Sequence, residues 1–231
     1  MPALPQSGPM TTDDLFDQGL SSLGINADNS ALEKLLIYYQ ELLKWSKKIN
    51  LIGDASERDI IDSHFLDSLT VLPYLDPCPP PGLIDVGTGA GFPGLPIKIV
   101  RPDLLVTLVE PRKKRGGFLR HMIRTLKLGG IKVIEQRIEE NTPDLLALRK
   151  KTPLLISRAV TSIIPFLEMC EPFCSETGRV ICMKGPKLEE ELKEWRELQT
   201  NLGFSLSARI DATLPLSHKS RKLLIFSRHN S

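Results

Sequence analysis

Apolar residues along this chain follow two periodicities, and the change from one to the other falls near residue 78. Before it, Leu32, Leu35, Leu36, Tyr39, Leu42, Leu43 and Trp45 recur three and four apart, the spacing of one buried helix face. Ile60, Ile61, Phe65, Leu69 and Leu72 repeat that spacing and predict a second helix over 59–75. The run Cys78-Pro79-Pro80-Pro81-Gly82 stops it, because proline breaks a helix and pushes the preceding residue toward extended structure. Beyond the prolines, short apolar runs predict strands at 83–86, 104–109, 132–135, 154–157, 180–183 and 223–226. Helical stretches lie between them at 94–100, 113–128, 163–173 and 188–201. Several strand runs are continuously apolar, which suits strands covered on both faces. Alternating strands and helices define the α/β class, with a mostly parallel, doubly wound sheet. The expected organisation is a tail and helical extension over 1–78 and an α/β unit over 79–231, together forming one compact body.

Composition sharpens this picture at few points. The 231 residues are 41% hydrophobic and 25% charged, which excludes a disordered or fibrous chain. The formal charge of +2 says nothing about partners, but its distribution does. Between Arg101 and Val160 there are 14 basic and 6 acidic residues, which makes this segment the candidate for meeting an anion. Cys78, Cys170, Cys174 and Cys182 form no C-x-x-C pair. They read as reduced thiols, and no metal site is expected. Residues 1–10 lack the basic start and apolar run of a secretory signal, and no apolar stretch reaches membrane-span length. A cytoplasmic protein without membrane contact is the expectation.

The strongest motif is Leu83-Ile84-Asp85-Val86-Gly87-Thr88-Gly89-Ala90-Gly91-Phe92-Pro93-Gly94. A strand enters a glycine-rich turn and a helix leaves it, so that a ligand can approach bare backbone. The dinucleotide fingerprint G-x-G-x-x-G fails, because its third glycine would fall on Phe92. The spacing D-x-G-x-G-x-G is similar to motif I of S-adenosylmethionine-dependent methyltransferases, with Asp85, Gly87, Gly89 and Gly91 as candidate cofactor-binding residues; a structural glycine turn is the alternative. Glu110 ends the second strand 25 residues after Asp85, where an acid can hydrogen-bond a ribose diol. Its alternative is a solvated acid at a helix N-terminus. No Walker A, HExxH or G-x-S-x-G pattern is present.

The glycine loop at 87–94, Ile156-Ser157-Arg158-Ala159 and Lys184-Gly185 together resemble the RsmG (GidB) family of ribosomal RNA methyltransferases. Trp45-Ser46-Lys47-Lys48-Ile49-Asn50-Leu51 and His64-Phe65-Leu66-Asp67-Ser68 match its helical N-terminal part. The resemblance runs from about Leu42 to Phe226, and the first 30 residues or so match nothing. It implies a Rossmann-like class I methyltransferase fold with an N-terminal helical extension. It also implies S-adenosyl-L-methionine as cofactor and methyl transfer to guanine N7 in small-subunit 16S rRNA, at nucleotide 527 in the 530 loop. Gly87, Phe92, Ile138, Glu139 and Arg158 carry over as cofactor positions. The chain departs from several relatives at Ala90, where they carry proline, and at Glu110, where they carry aspartate. The chemistry agrees with the residues: N7 has an in-plane lone pair and needs no general base, so orientation dominates. The fourth strand accordingly ends in Ser157-Arg158 rather than in an amine-binding Asn-Pro-Pro-Tyr. Arg158 is assigned an orienting contact with cofactor or base; its alternative is a salt bridge at a sheet edge.

Seven cations and no acid lie between Arg112 and Lys127: Arg112, Lys113, Lys114, Arg115, Arg120, Arg124 and Lys127. Arg120, Arg124 and Lys127 are expected on one helix face, opposite Phe118, Leu119, Met122, Ile123 and Leu126. With Lys184 they are the candidate RNA contacts, the alternative being a solvated face. Lys219, Arg221, Lys222 and Arg228 are a candidate second patch. His64 and Asp67, three apart, read by spacing alone as a structural pair; the family resemblance makes them candidate support for the site. Two other functions stay open: a methyltransferase on a protein or small molecule, and a non-catalytic cofactor-binding assembly factor. A monomer acting on 16S rRNA, within the small ribosomal subunit, is the expected working form.

Overall fold

The computed structural model describes residues 10–79, 82–158, 161–184, 188–197 and 202–229. Helix α1 (Thr12–Ser22) opens with a capping box, Thr11 and Asp14 satisfying one another's backbone N–H. Helix α2 (Asn29–Ile49) starts at Asp28, whose side chain accepts from Ala31 N, and ends at Asn50 in the left-handed region. The stretch expected as one helix over 59–75 is instead segmented. It runs through α3 (Glu57–Ile60), a π-helical turn (Ile61–Leu66), the short α4 (Asp67–Leu69) and a 3-10 turn (Leu72–Tyr74). The wide turn re-aims residues 61–66, as such insertions do at functional sites.

The α/β part follows as β1 (Leu83–Val86), α5 (Gly94–Val100), β2 (Val106–Val109), α6 (Lys113–Thr125) and β3 (Ile131–Ile134). A 3-10 turn (Pro143–Leu148) leads to β4 (Thr152–Arg158), α7 (Ile163–Cys170), β5 (Cys174–Lys184), α8 (Leu188–Glu197), β6 (Phe204–Thr213) and β7 (Ser220–Arg228). The end of the helix expected over 188–201 lies outside the described residues. The seven strands form one sheet in the order β3-β2-β1-β4-β5-β7-β6. Strands β1 to β5 pair in parallel, and β7 runs antiparallel between β5 and β6. The order reverses between β1 and β4, and open α/β sheets bind ligands outside the carboxyl ends of the strands at such a reversal.

Apolar residues fill both faces. Leu83, Leu108, Leu154 and Ile156 belong to one cluster with α1, α2, the π turn, α5 and α6. Ile84, Val109, Leu155 and Val180 belong to the other, with α7 and α8. The N-terminal helices therefore share a core with the sheet. Asp62, fully buried, fastens them to the β6–β7 turn: its two carboxylate oxygens accept from Leu216 N and Ser217 N, both at 3.0 Å. Arg58 Nη2 donates to Leu216 O at 2.8 Å beside it.

Candidate active site

A cleft of about 850 Å³ opens at the carboxyl ends of β1, β2 and β4. That volume suits a drug-sized ligand. Its floor is the glycine loop, tied to β2 by Gly87 N and Thr88 N, which donate to Val109 O at 2.8 and 3.2 Å. Gly87, Gly89 and Gly91 hold positive φ of 67°, 63° and 104°. At Gly91 a Cβ would lie 2.4 Å from Leu95 Cδ1 and 2.8 Å from Tyr38 Oη, so only glycine fits. Gly91 lies behind the loop and does not line the cleft.

Asp85, a second expected cofactor residue, likewise stays out of the cleft lining. Its side chain is fully buried, and Oδ2 accepts from Thr88 Oγ1 at 2.5 Å and Gly94 N at 2.8 Å. It shapes the loop from behind and does not line the cleft, its carboxylate pointing to the α5 side of the sheet. Burial pushes its carboxyl up to about 7, against the pull of those two hydrogen bonds. Gly87, Gly89, Phe92, Glu110, Ile138, Glu139, Arg158 and His64 do line the cleft, although they come from five separate stretches of chain.

Glu110 closes one wall. Oε2 accepts from Gly89 N at 3.0 Å and Oε1 from Arg112 N at 2.9 Å, with Arg115 Nη1 3.9 Å away. A carboxylate there spans the glycine loop and the start of α6. The glutamate side chain reaches both. Ile138 adds an apolar surface beside Val109, and Glu139 N is fixed by Thr142 Oγ1 at 3.0 Å.

The opposite end is aromatic and cationic. Tyr38 donates to Ala90 O at 2.5 Å and stacks on Phe92 at 5.3 Å, so helix α2 braces the loop from outside. Burial raises the Tyr38 hydroxyl well above the usual tyrosine range, keeping it a donor. The Arg158 guanidinium lies 5.2 Å over the Phe92 ring. Its Nη1 donates to Ser63 O and its Nη2 to His64 Nδ1, both at 2.8 Å. Asp67 stands 3.5 Å from Arg158 and 3.3 Å from Arg221. Burial raises the Asp67 carboxyl, and the two guanidiniums oppose that rise. Arg158 therefore makes an ion pair, as its alternative reading held, but in a central strand at the cleft and not at a sheet edge. Asp67 does not line the cleft; it holds Arg158.

The expected RNA contacts divide. Arg112, Lys113 and Lys114 are exposed at the start of α6, beside the cleft. Arg124 is exposed further along. Arg120 pairs with Glu135 at 2.5 Å. Lys127 is exposed but off the helix: α6 ends at Thr125 and Lys127 takes φ 51°, so the shared face does not extend to it. Lys184 is buried, donating to Thr161 O at 2.5 Å and pairing with Glu191 at 2.7 Å, which removes it from any phosphate. Of the C-terminal cations, Arg221, Lys219, Lys222 and Arg228 all face acids, Asp67, Asp59, Asp211 and Glu171, so that patch is largely neutralised. Sequence reasoning missed Leu51, Ile52, Arg137 and Met169 in the cleft wall. Leu51 and Ile52 follow the left-handed Asn50 that ends α2, a stop signal that pointed to a loop beside the site.

These residues fit S-adenosylmethionine. Bare backbone at Gly89, a half-encircled carboxylate at Glu110, the Ile138 surface and the aromatic end at Phe92 supply one complementary group for each part of that molecule. Fold and cleft thus define a class I S-adenosylmethionine-dependent methyltransferase. A solved S-adenosylmethionine-dependent methyltransferase from Aquifex aeolicus shares the fold, with a TM-score of 0.53 at 18% identity over 74% of this chain and 93% of that one. Residues 31–218 match the family described as GidB, rRNA small subunit methyltransferase G, and the chain belongs to that family. It is 43% identical over 211 residues to the ribosomal RNA small subunit methyltransferase G of Desulfotalea psychrophila, covering 91% of this chain and 95% of that one. Identity to the protein of that name from Lachnoclostridium phytofermentans is 36%, over 95% and 90% of the two chains.

Proposed function

We propose that this chain transfers the methyl group of S-adenosylmethionine to N7 of a guanine in 16S ribosomal RNA, by family resemblance the guanine at nucleotide 527 of the 530 loop. The carrying observation is the meeting of the glycine loop with Arg158 and His64 across Phe92, on a chain of this family. Bound S-adenosylmethionine supplies an electrophilic methyl on a sulfonium. In this reading Glu110 holds the ribose diol, and Ile138 with Glu139 the adenine; all three line the cleft. Phe92, Arg158 and His64 border the end where the methyl and the base meet. No side chain there is arranged as a general base, and N7 requires none: its lone pair attacks without losing a proton.

Arg112, Lys113 and Lys114 stand at the mouth and supply phosphate contacts. No helix among the described residues is long and apolar enough to cross a membrane, and no described cluster of side chains could hold a metal. Whether the substrate is naked rRNA or the small subunit is read by the same assay, transfer of labelled methyl to each. N7-methylguanine mapped in 16S rRNA after incubation is the expected product. Label recovered only in protein, or at a position other than guanine N7, refutes the reading, and cofactor binding without transfer to either substrate supports the assembly-factor alternative.

A further inference from the structure

His64 is held in one tautomer. A guanidinium has only donors, so Arg158 Nη2, 2.8 Å from His64 Nδ1, requires a lone pair on Nδ1 and places the ring proton on Nε2. The ring stacks on Phe92 at 5.2 Å and 27° and lines the cleft. The wide π turn that carries it is fixed from both sides, by Asp62 on the β6–β7 turn and by Phe65 against Phe16, Tyr38 and Phe92. Among the described residues nothing accepts from Nε2. Both terminal nitrogens of Arg158 are already engaged by protein acceptors.

We propose that His64 is a specificity-determining residue, whose Nε2–H donates to O6 of the guanine being methylated; this rests on the guanine-N7 reading above. The Hoogsteen edge of guanine offers two acceptors, N7 and O6, whereas adenine carries an amine donor in place of O6. N7 must stay free of any donor to attack the methyl. A single fixed N–H directed at the neighbouring O6 then accepts guanine, and it faces donor to donor with adenine. Neutrality of the ring serves the same step. Methyl transfer moves the positive charge from sulfonium to the base, and an imidazolium beside it would oppose that charge. Burial first, then the charges of Arg158 and Arg221, depress the His64 ring to about 4.

The test compares single-turnover methyl transfer to small-subunit RNA carrying either guanine or 2,6-diaminopurine at the mapped target. The diaminopurine keeps N7 and replaces O6 with an amine. The native chain is expected to prefer guanine by roughly tenfold to a hundredfold, the usual worth of a base-edge contact. His64→Phe keeps the stack on Phe92 and removes the donor, and is expected to erase most of that preference. His64→Gln returns an amide donor at similar reach and is expected to restore it. Should the phenylalanine variant not fold, His64→Leu lacks the donor without the ring and reads the same ratio. An unchanged ratio in the donor-free variants overturns the proposal, whatever their absolute rates. A loss of S-adenosylmethionine affinity by calorimetry with the ratio unchanged also overturns it, and assigns the N–H to the cofactor. Native chain that methylates no guanine at N7 would instead refute the functional reading itself.

Discussion

The carboxylate of Asp62 is the point where loosening the N-terminal helices is most open to measurement. It is fully buried and is the acceptor for two backbone donors, Leu216 N and Ser217 N, both at 3.0 Å. Asp62→Ala removes both bonds and strands two N–H groups. Leu216 is itself buried, so water cannot freely replace the lost acceptor there. Hydrogen bonds to a charged group contribute about 1.5–3 kcal/mol each, so the pair amounts to roughly 3–6 kcal/mol. For a chain of this size, at about 2–4 °C per kcal/mol, that is a fall in melting temperature of roughly 6–24 °C. Asp62→Asn keeps one acceptor oxygen but turns an amide N–H2 toward the second donor, so it should recover less than half of the loss. Urea unfolding followed by circular dichroism measures both variants, with m unchanged if the native state stays compact. Methyl transfer should fall as well, since His64 lies two residues on, in the same wide turn. A cost under about 1 kcal/mol for Asp62→Ala would show that the turn at 216–217 is held by its apolar contacts and not by this carboxylate.

Three further outcomes follow from the same geometry. The Asp85 carboxyl titrates at about 7 in the folded chain against an ordinary 3.8, so between those values the folded state binds the extra proton. Stability should therefore decline as pH rises from about 4 to about 7 and then level off; Asp85→Asn should flatten that part of a pH series of thermal melts, and an unaltered pH profile would refute the assignment. Arg158→Ala leaves Asp67 buried with one cation fewer, so it should cost about 3–5 kcal/mol as well as turnover, while Arg158→Lys should keep more of the fold than of the activity. Equal melting temperatures for native and Arg158→Ala chains would contradict the buried pair. Neutralising Lys113, Lys114 and Arg124 together should flatten the slope of log affinity for the small subunit against log salt by roughly 2, at about 0.7 per phosphate, with S-adenosylmethionine affinity unchanged. Neutralising Arg120, already paired with Glu135, should change it little, and the reverse ranking would move the RNA path elsewhere.

What the linear pattern determined is the part of the molecule governed by local periodicity. Strand β1 and helix α5 fall where the apolar run and the glycine turn predicted them. The parallel core was legible because strands buried on both faces are mostly apolar, with Asp85 in β1 and Thr107 in β2 as buried polar interruptions. Strand β6 was missed: its Phe204, Leu206, Ala208, Ile210 and Ala212 alternate with exposed residues, a weak two-residue period at a sheet edge. Helix α1 was missed too, although its Thr11–Asp14 capping box was readable. The glycine loop, Glu110 and Arg158 were recognisable as residues, because loop spacing and strand ends are sequence properties.

Tertiary structure alone decided which of them face the cleft. Asp85 and Gly91 share the motif with Gly87 and Gly89 yet lie behind the loop, since which side of a strand or turn is covered depends on what packs there. Likewise charge on a sequence is not free charge: Lys184 and Arg120 meet acids from distant elements, and only Arg112, Lys113, Lys114, Arg124 and Lys127 of the basic run remain exposed without a described acidic partner. The link from Arg158 to Ser63 and His64 spans more than ninety residues, and the wide turn that permits it has no periodic signature. A turn of that kind is held by the groups around it, here Asp62 on the β6–β7 turn and the aromatic cluster about Phe65. Its position is therefore a property of the assembled fold and not of the local sequence.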